Sequence, residues 1–585
     1  MLIYLWPNLN SWFTSPHIMY TKGLFIFFII IVITITVTWY IRDDSLVVDN
    51  HTTMALRIRP FWESSTRTKE FPSDPRDLQK TIANKERQHL ANESVFLCDP
   101  WHPEEMFTPP TARNTHRFRP LPLATNASKS TVKIVNPKKQ YHVCDHVTIR
   151  IDAKDKYGTQ KQYGGDFFRI KLFTPKPYSA TGPEYFIDYD NGTYFAHFIL
   201  RWEGQMKVSV LLVHPSEAIP LLNRTTQGSA MSLFTFFGTF QTTKDGHKEK
   251  EDVTCGVAPF PPPSCNVSAK RTHGPWFCQQ PENKFLTCDD WAYHYMDMKV
   301  SSRNLENSLN STGKALFKSS KVSLTGNRLP SFQVLDGGSS AKVSFPYCSA
   351  VHPPKSIQTS GYILQNKWQP FNCSVKKFNA DNIESCLQGK TIHLYGDSTA
   401  RQMFYYLRDN ITCNSKEPFL CVGNETTVHF KFHGLPVRGK SVVDAKKIRY
   451  IAEEIDDLKG GPGVVIILSV WAHFGLPKGT FYRDRLIAIK QAVERLWIRS
   501  PETRVVIRSA NTREHSIKGF ILISSDWIAL QGEKTLRSVF GGDDRFLFLD
   551  VWDLTLVQKP KDQIHPSEPT LTQMMDYLLT LLCDP

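Results

Sequence analysis

The sequence predicts a multidomain chain: an N-terminal transmembrane helix, an all-β antiparallel sandwich, and a C-terminal α/β/α domain built on a parallel sheet. Three observations carry this. Residues 23–41 run for nineteen residues without a charge, long enough to cross a bilayer core. Between 131 and 250, runs of alternating apolar and polar residues are separated by Gly, Asn and Asp turns at short intervals, the pattern of half-buried antiparallel strands. From residue 390 onward, continuous apolar runs alternate with amphipathic helical stretches, as in a parallel sheet covered on both faces.

Residues 1–22 are expected to form a cytoplasmic tail and 23–41 an uncleaved signal anchor. The span follows about twenty residues and ends in Trp39, Tyr40 and Arg42 rather than at a small-residue cleavage site. All twelve cysteines, from Cys98 to Cys583, follow it. An even count on one side of a membrane suits disulfides in an oxidising lumen, and no Cys-x-x-Cys spacing suggests zinc, so no metal is expected. Asn50, Asn92, Asn126, Asn191, Asn223, Asn266, Asn310, Asn372, Asn410 and Asn424 each begin an N-glycosylation sequon. The expected location is therefore a single-pass type II membrane protein of the secretory pathway, in the Golgi or at the cell surface, with a shed or secreted form compatible with it.

Residues 42–130, rich in proline and charge with few periodic apolar runs, read as a stem. Residues 131–250 read as the sandwich, with strands near 132–135, 145–153, 167–172, 192–200 and 204–213. Residues 251–299 hold four cysteines about ten apart among prolines and read as a stapled connector. Residues 300–585 read as the α/β domain, with helices near 444–458, 481–499, 523–539 and 568–582. The net charge of +14 comes from dispersed basic residues. Nucleic acid is not indicated; a basic surface in a lumen favours acidic glycans instead.

The stretch Thr391-Ile392-His393-Leu394-Tyr395-Gly396-Asp397-Ser398 breaks from strand to helix at Gly396. A serine on such a turn stands at the carboxyl edge of the sheet, beside the unpaired amides of a helix start. Gly396 allows close backbone approach, and Asp397 favours the turn and the helix start. Far downstream, Asp562-Gln563-Ile564-His565-Pro566 follows another strand-like run. Asp-x-x-His lets the carboxylate orient an imidazole that reaches the serine. The order Ser398, Asp562, His565, each at the end of an expected parallel strand, forms a nucleophile, orienter and base. Cys413 and Cys421 are expected to close a short loop.

Within the sandwich region, Ala153-x-Asp155-x-x-Gly158, Gly164-Gly165-Asp166-x-Phe168 and Asp190-Asn191-Gly192-Thr193-Tyr194 resemble filamin-type immunoglobulin-like repeats, and the same stretch resembles the neurexophilin domain. Leu387-x-Gly389-Lys390, Gly396-Asp397-Ser398-x-x-Arg401 and Asp562-x-x-His565 resemble SGNH-type (GDSL-like) esterases, including plant trichome-birefringence-like acetyltransferases and animal sialic acid O-acetyltransferase. Over residues 130–585 the chain resembles the neurexophilin and PC-esterase domain family. That likeness implies Ser398 as nucleophile, His565 as general base and Asp562 as its orienter, with the Ser398 amide and Arg401 as oxyanion donors and no bound cofactor. GDSL enzymes place an asparagine after a later strand as a further donor, whereas here the chain reads Ser469-Val470-Trp471-Ala472-His473; His473 is the candidate substitute. The implied activity is O-acetyl transfer from acetyl-CoA to a hydroxyl of sialic acid or another acidic glycan. Two alternatives stand beside it: a glycan O-acetyl esterase, and a catalytically silent adhesion protein whose sandwich binds a neurexin-like cell-surface partner.

Overall fold

The computed structural model describes residues 95–98 and 121–583, apart from 136, 228–233, 245, 269–273, 319–321, 337–341, 438–441, 475–478, 514–520 and 559–563. The expected anchor at 23–41, the cytoplasmic tail and most of the stem lie outside these residues. Among the described residues, no helix is long and apolar enough to cross a membrane.

The alternating runs form a sandwich. One sheet joins Thr131–Ile134, His146–Asp152, Thr193–Ile199 and Tyr185–Asp188, all antiparallel. The facing sheet is centred on Phe167–Pro175 and Gly204–His214. Period two sends Val147, Ile149 and Ile151 from one sheet, and Phe168, Ile170 and Leu172 from the other, into one core. The second sheet also takes in Ser331–Leu335 and the hairpin Gly361–Leu364/Lys367–Pro370, residues grouped above with the α/β domain. Ile363 and Trp368 of that hairpin, with Tyr178 of the adjoining strand Tyr178–Thr181, pack in the same cluster as Ile392 and Leu394 of the parallel sheet. Sandwich and α/β layers therefore share apolar surface.

Residues 251–299, read above as a connector, supply strands instead. A separate six-stranded sheet runs in the order Ser264–Asn266, Phe277–Gln279, His247–Gly256, Thr235–Lys244, Trp291–Asp297, Val443–Asp444. It also takes residues 235–250, which the sequence reading placed with the sandwich. Its cohesion comes from Phe236, Phe240 and Trp276 in a common core and from the disulfides Cys255–Cys278 and Cys265–Cys288. All twelve cysteines are paired, Cys413 with Cys421 among them, and Cys386 ties the start of the α/β domain to Cys583 behind the final helix.

The parallel sheet has the order Thr427–Phe432, Thr391–Gly396, Val464–Ser469, Arg504–Arg508, Leu547–Leu549, with Leu420–Val422 antiparallel on its edge. Numbering the five parallel strands along the chain, the order is 2-1-3-4-5. The first strand thus lies where the winding reverses, and ligands of such sheets bind outside the carboxyl ends at that crevice. Alternate side chains pack opposite layers. Ile392, Leu394, Val465 and Ile467 meet helices Ser398–Asn410 and Glu568–Leu582, while Tyr395, Ile466 and Leu468 meet Ile451–Asp456 and Gly479–Arg499. Ser398 begins the helix leaving the central first strand.

Candidate active site

The turn at Ser398 is dictated by the strand beside it. Gly396 lies directly opposite Ser469 in parallel register and has φ +156°. A Cβ there would fall 2.0 Å from the Ser469 carbonyl oxygen, so only glycine lets the two strands approach at this height. Asp397 follows as the N-cap of helix Ser398–Asn410. One carboxylate oxygen accepts from the Thr399 amide at 2.8 Å and the Thr399 hydroxyl at 2.7 Å. The other accepts from the amides of Trp471 and Ala472, at 3.2 and 2.8 Å. Fully buried, Asp397 therefore caps its own helix and pins the loop that follows the neighbouring strand.

Across this turn, His565 Nε2 lies 2.7 Å from Ser398 Oγ. The histidine loop is held on both sides of the ring. Gln402, one turn into the same helix, donates to the Pro566 carbonyl at 2.7 Å, and Asn511 donates to the Ile564 carbonyl at 3.3 Å. Asn511 is itself fixed by Arg508, whose Nη2 donates to its side-chain oxygen at 2.9 Å. Burial lowers the Arg508 pKa to about 10, against the opposing influence of Asp397 and Glu533.

Desolvation lowers the His565 pKa, and the charges of Arg401 and Arg513 lower it further, while Asp397 raises it. The net effect keeps the ring neutral and basic to lower pH than a free imidazole. Ser398 is half-buried and His565 exposed, so both are open to a substrate. A polarised hydroxyl at a helix start, where backbone amides point outward, is equipped to attack an acyl carbon and stabilise the resulting oxyanion.

Gly396, Asp397, Ser398, Arg401 and His565 thus converge. Asp562 lies outside the described residues. The Arg401 guanidinium sits 5.5 Å from the centre of the Phe432 ring, on the strand adjoining the central one. His473 is buried, and its Nδ1 lies 2.8 Å from Nε2 of His433. These two histidines follow the strands on either side of the central one, so their rings meet across its carboxyl end. When His433 donates in this pair, His473 carries its own proton on Nε2 and can donate onward. Of the sequons, Asn191, Asn266, Asn310, Asn372 and Asn424 are exposed, Asn126 and Asn410 half-buried, and Asn223 half-buried with its side-chain oxygen accepting from Trp527. Asn50 and Asn92 lie outside the described residues. No group of three or more His, Cys, Asp or Glu among the described residues could hold a metal ion.

The sequence reading did not single out His433, Gln402, Asn511 or Arg513. A signal for His433 was present in the alternation of Thr427–Phe432, which marks a strand that ends just before it. The other three act through contacts that leave no local pattern.

Residues 111–311 match the neurexophilin family model, and residues 368–583 match the model described as NXPE family member 4-like, C-terminal domain. The chain thus carries a region that matches a neurexophilin model followed by one that matches an NXPE-type, PC-esterase-like model. The strand–turn–helix carrying Ser398 and the loop carrying His565 both fall within the second match. Among curated proteins, the chain is similar to the N-acetylneuraminate (7)9-O-acetyltransferase of Danio rerio, 25% identical over 248 residues. That alignment covers 39% of this chain and 30% of the relative, so the chain spans under a third of the relative it matches.

Proposed function

We propose that this neurexophilin and PC-esterase domain chain is a membrane-anchored O-acetyltransferase of the secretory pathway that esterifies hydroxyls of sialic acid or another acidic glycan. The observation that carries the reading is the 2.7 Å approach of Ser398 Oγ to His565 Nε2 at the winding reversal of a parallel sheet. In the first half-reaction Ser398 Oγ bonds to the acetyl carbon of acetyl-CoA, its proton passes to His565, and the CoA thiolate leaves with that proton. In the second, a sugar hydroxyl gives its proton to His565, attacks the acyl-serine and takes the acetyl group, returning Ser398 to its hydroxyl form. Asp562 would orient the imidazole, and Arg401 and His473 would supply donors to the oxyanion. The similarity to an O-acetyltransferase and the net charge of +14 support an acidic acceptor. Incubating the purified protein with acetyl-CoA, without acceptor, should place acetyl on the peptide containing Ser398. Mass spectra showing acetyl elsewhere, or nowhere, would remove the reading.

The exposure of His565 favours a second reading in which water replaces the sugar, giving a glycan O-acetyl esterase. Residues 23–41, the sequons and the six disulfides support this location, since disulfides suit an oxidising compartment. Digestion with an N-glycosidase should increase the protein's gel mobility. An unshifted band would place residues 42–585 on the other side of the membrane.

A further inference from the structure

We propose that the outer face of the neurexophilin sheet is part of the catalytic apparatus, with Arg169 and Lys171 acting as positioning residues that hold His565 against Ser398. This rests on the reading of Ser398 and His565 as the acyl-transfer pair. Strand Phe167–Pro175 alternates, sending Phe168, Ile170 and Leu172 into the sandwich core and Arg169 and Lys171 outward. Both cations end on the segment that leads to the histidine loop. Arg169 donates through Nη2 to the Thr555 carbonyl at 2.9 Å and through Nε to the Leu556 carbonyl at 3.2 Å. Lys171 Nζ donates to the Val557 and Gln558 carbonyls at 3.2 and 2.8 Å, and the Tyr178 hydroxyl donates to Val557 at 2.5 Å.

Four consecutive carbonyls, at the end of helix Trp552–Val557, are thus taken by side chains of another domain. By position these carbonyls have no partners within the helix, and cations are favoured there. Gln558 stands seven residues before His565.

A second arm starts from the same guanidinium. Arg169 Nη2 donates to the Thr512 hydroxyl at 3.1 Å, and Nη1 lies 3.5 Å from Asp526, which also accepts from the Arg513 amide at 2.8 Å. The loop so fixed carries Asn511, whose side chain holds the carbonyl of Ile564, the residue before His565. Burying cations costs desolvation that an apolar contact would not incur, and here the charges meet the backbone that positions the base. A displacement of about 1 Å at a reacting group costs on the order of a hundred-fold in rate.

The test uses the full-length chain in detergent and a fluorophosphonate probe, which phosphonylates an activated serine with loss of fluoride and needs no acceptor. The rate of Ser398 labelling is followed against pH, together with thermal unfolding. Wild-type labelling should rise through a midpoint below the ordinary imidazole value of about 6.5, because desolvation of the ring and the charges of Arg401 and Arg513 outweigh Asp397 and lower the His565 pKa. Lys171→Met and Arg169→Gln should each slow labelling at least ten-fold and move that midpoint, while Lys171→Arg keeps both close to wild type. If Arg169→Gln fails to fold, Arg169→Lys and Tyr178→Phe carry the same comparison. A folded Lys171→Met protein that labels at the wild-type rate with the wild-type midpoint overturns the proposal, even if its melting temperature falls, because the contact would then serve packing alone. A wild-type protein that does not label at Ser398 overturns the reading of the site instead.

Discussion

Ser398→Ala should lower acetyl transfer by roughly 10⁵- to 10⁶-fold while leaving folding almost unchanged. The loss follows from the chemistry: without Oγ no acyl-enzyme forms, and His565 has no proton to take. The indifference of the fold follows from the contacts. The helix start is capped by Asp397 through the amide and hydroxyl of Thr399, and the adjoining loop is pinned by Asp397 through Trp471 and Ala472. Ser398 itself is half-buried and meets an exposed histidine. Deleting its hydroxyl should therefore change stability by no more than about 0.5 kcal/mol. Turnover on acceptor glycan and thermal melts of the same preparation check both halves. Surviving activity would sink the acyl-serine mechanism. A collapsed melting temperature would instead mean that Ser398 is structural.

Gly396→Ala should do the reverse and cost the fold on the order of 3–5 kcal/mol. The added methyl would stand 2.0 Å from the Ser469 oxygen and 2.8 Å from its carbon. Both are backbone atoms of a paired strand, so no rotamer change relieves the clash. The φ of +156° is also one that L-residues with a side chain rarely adopt. Relief requires parting the central strand from Val464–Ser469, which breaks the bond from the Asp397 amide to the Ser469 carbonyl at 3.2 Å and misplaces the cap. The expected outcome is retention at the site of synthesis or a melting temperature lower by many degrees, read by maturation of the attached N-glycans and calorimetry. Normal glycan maturation with a wild-type melt would show that the strands can separate here without penalty.

Much of the α/β domain was legible along the chain. Helix Glu568–Leu582 has the expected bounds, and strands Val464–Ser469, Arg504–Arg508 and Leu547–Leu549 lie within the apolar runs that suggested them. Each has its own periodicity, and periodicity is local. The elements that were not read are those whose signals are weak or whose partners are distant. Thr427–Phe432 alternates Val428 and Phe430 with polar residues instead of running continuously apolar, yet it flanks the central strand and so makes the winding reversal. Residues 235–299 supply a sheet held by disulfides and buried aromatics, although 235–250 suggested the end of the sandwich and the proline-rich 251–299 a connector. The hairpin Gly361–Leu364/Lys367–Pro370 joins its sheet by pairing with Tyr178–Thr181, a strand that lies far earlier in the chain. Nothing in its own sequence names that partner.

The candidate site divides the same way. Gly-Asp-Ser at a strand-to-helix break is decided by neighbours in sequence: a glycine for the turn, an acid for the cap, and an apolar strand before them. Those preferences arise from backbone sterics and hydrogen bonds that reach only a few residues, so the chain by itself determined where a nucleophile turn would stand and that a histidine followed far downstream. It also placed every cysteine beyond the apolar span. Only the tertiary structure decided that the second oxygen of Asp397 holds Trp471 and Ala472, that His433 meets His473, and that Asn511 and Gln402 grip the chain on either side of His565. It likewise put Arg169 and Lys171 of the sandwich on the carbonyls leading to that histidine. These are bonds between residues tens to hundreds of positions apart. Their geometry is set by how whole layers pack, and side chains that serve them carry no periodic or turn signal of their own.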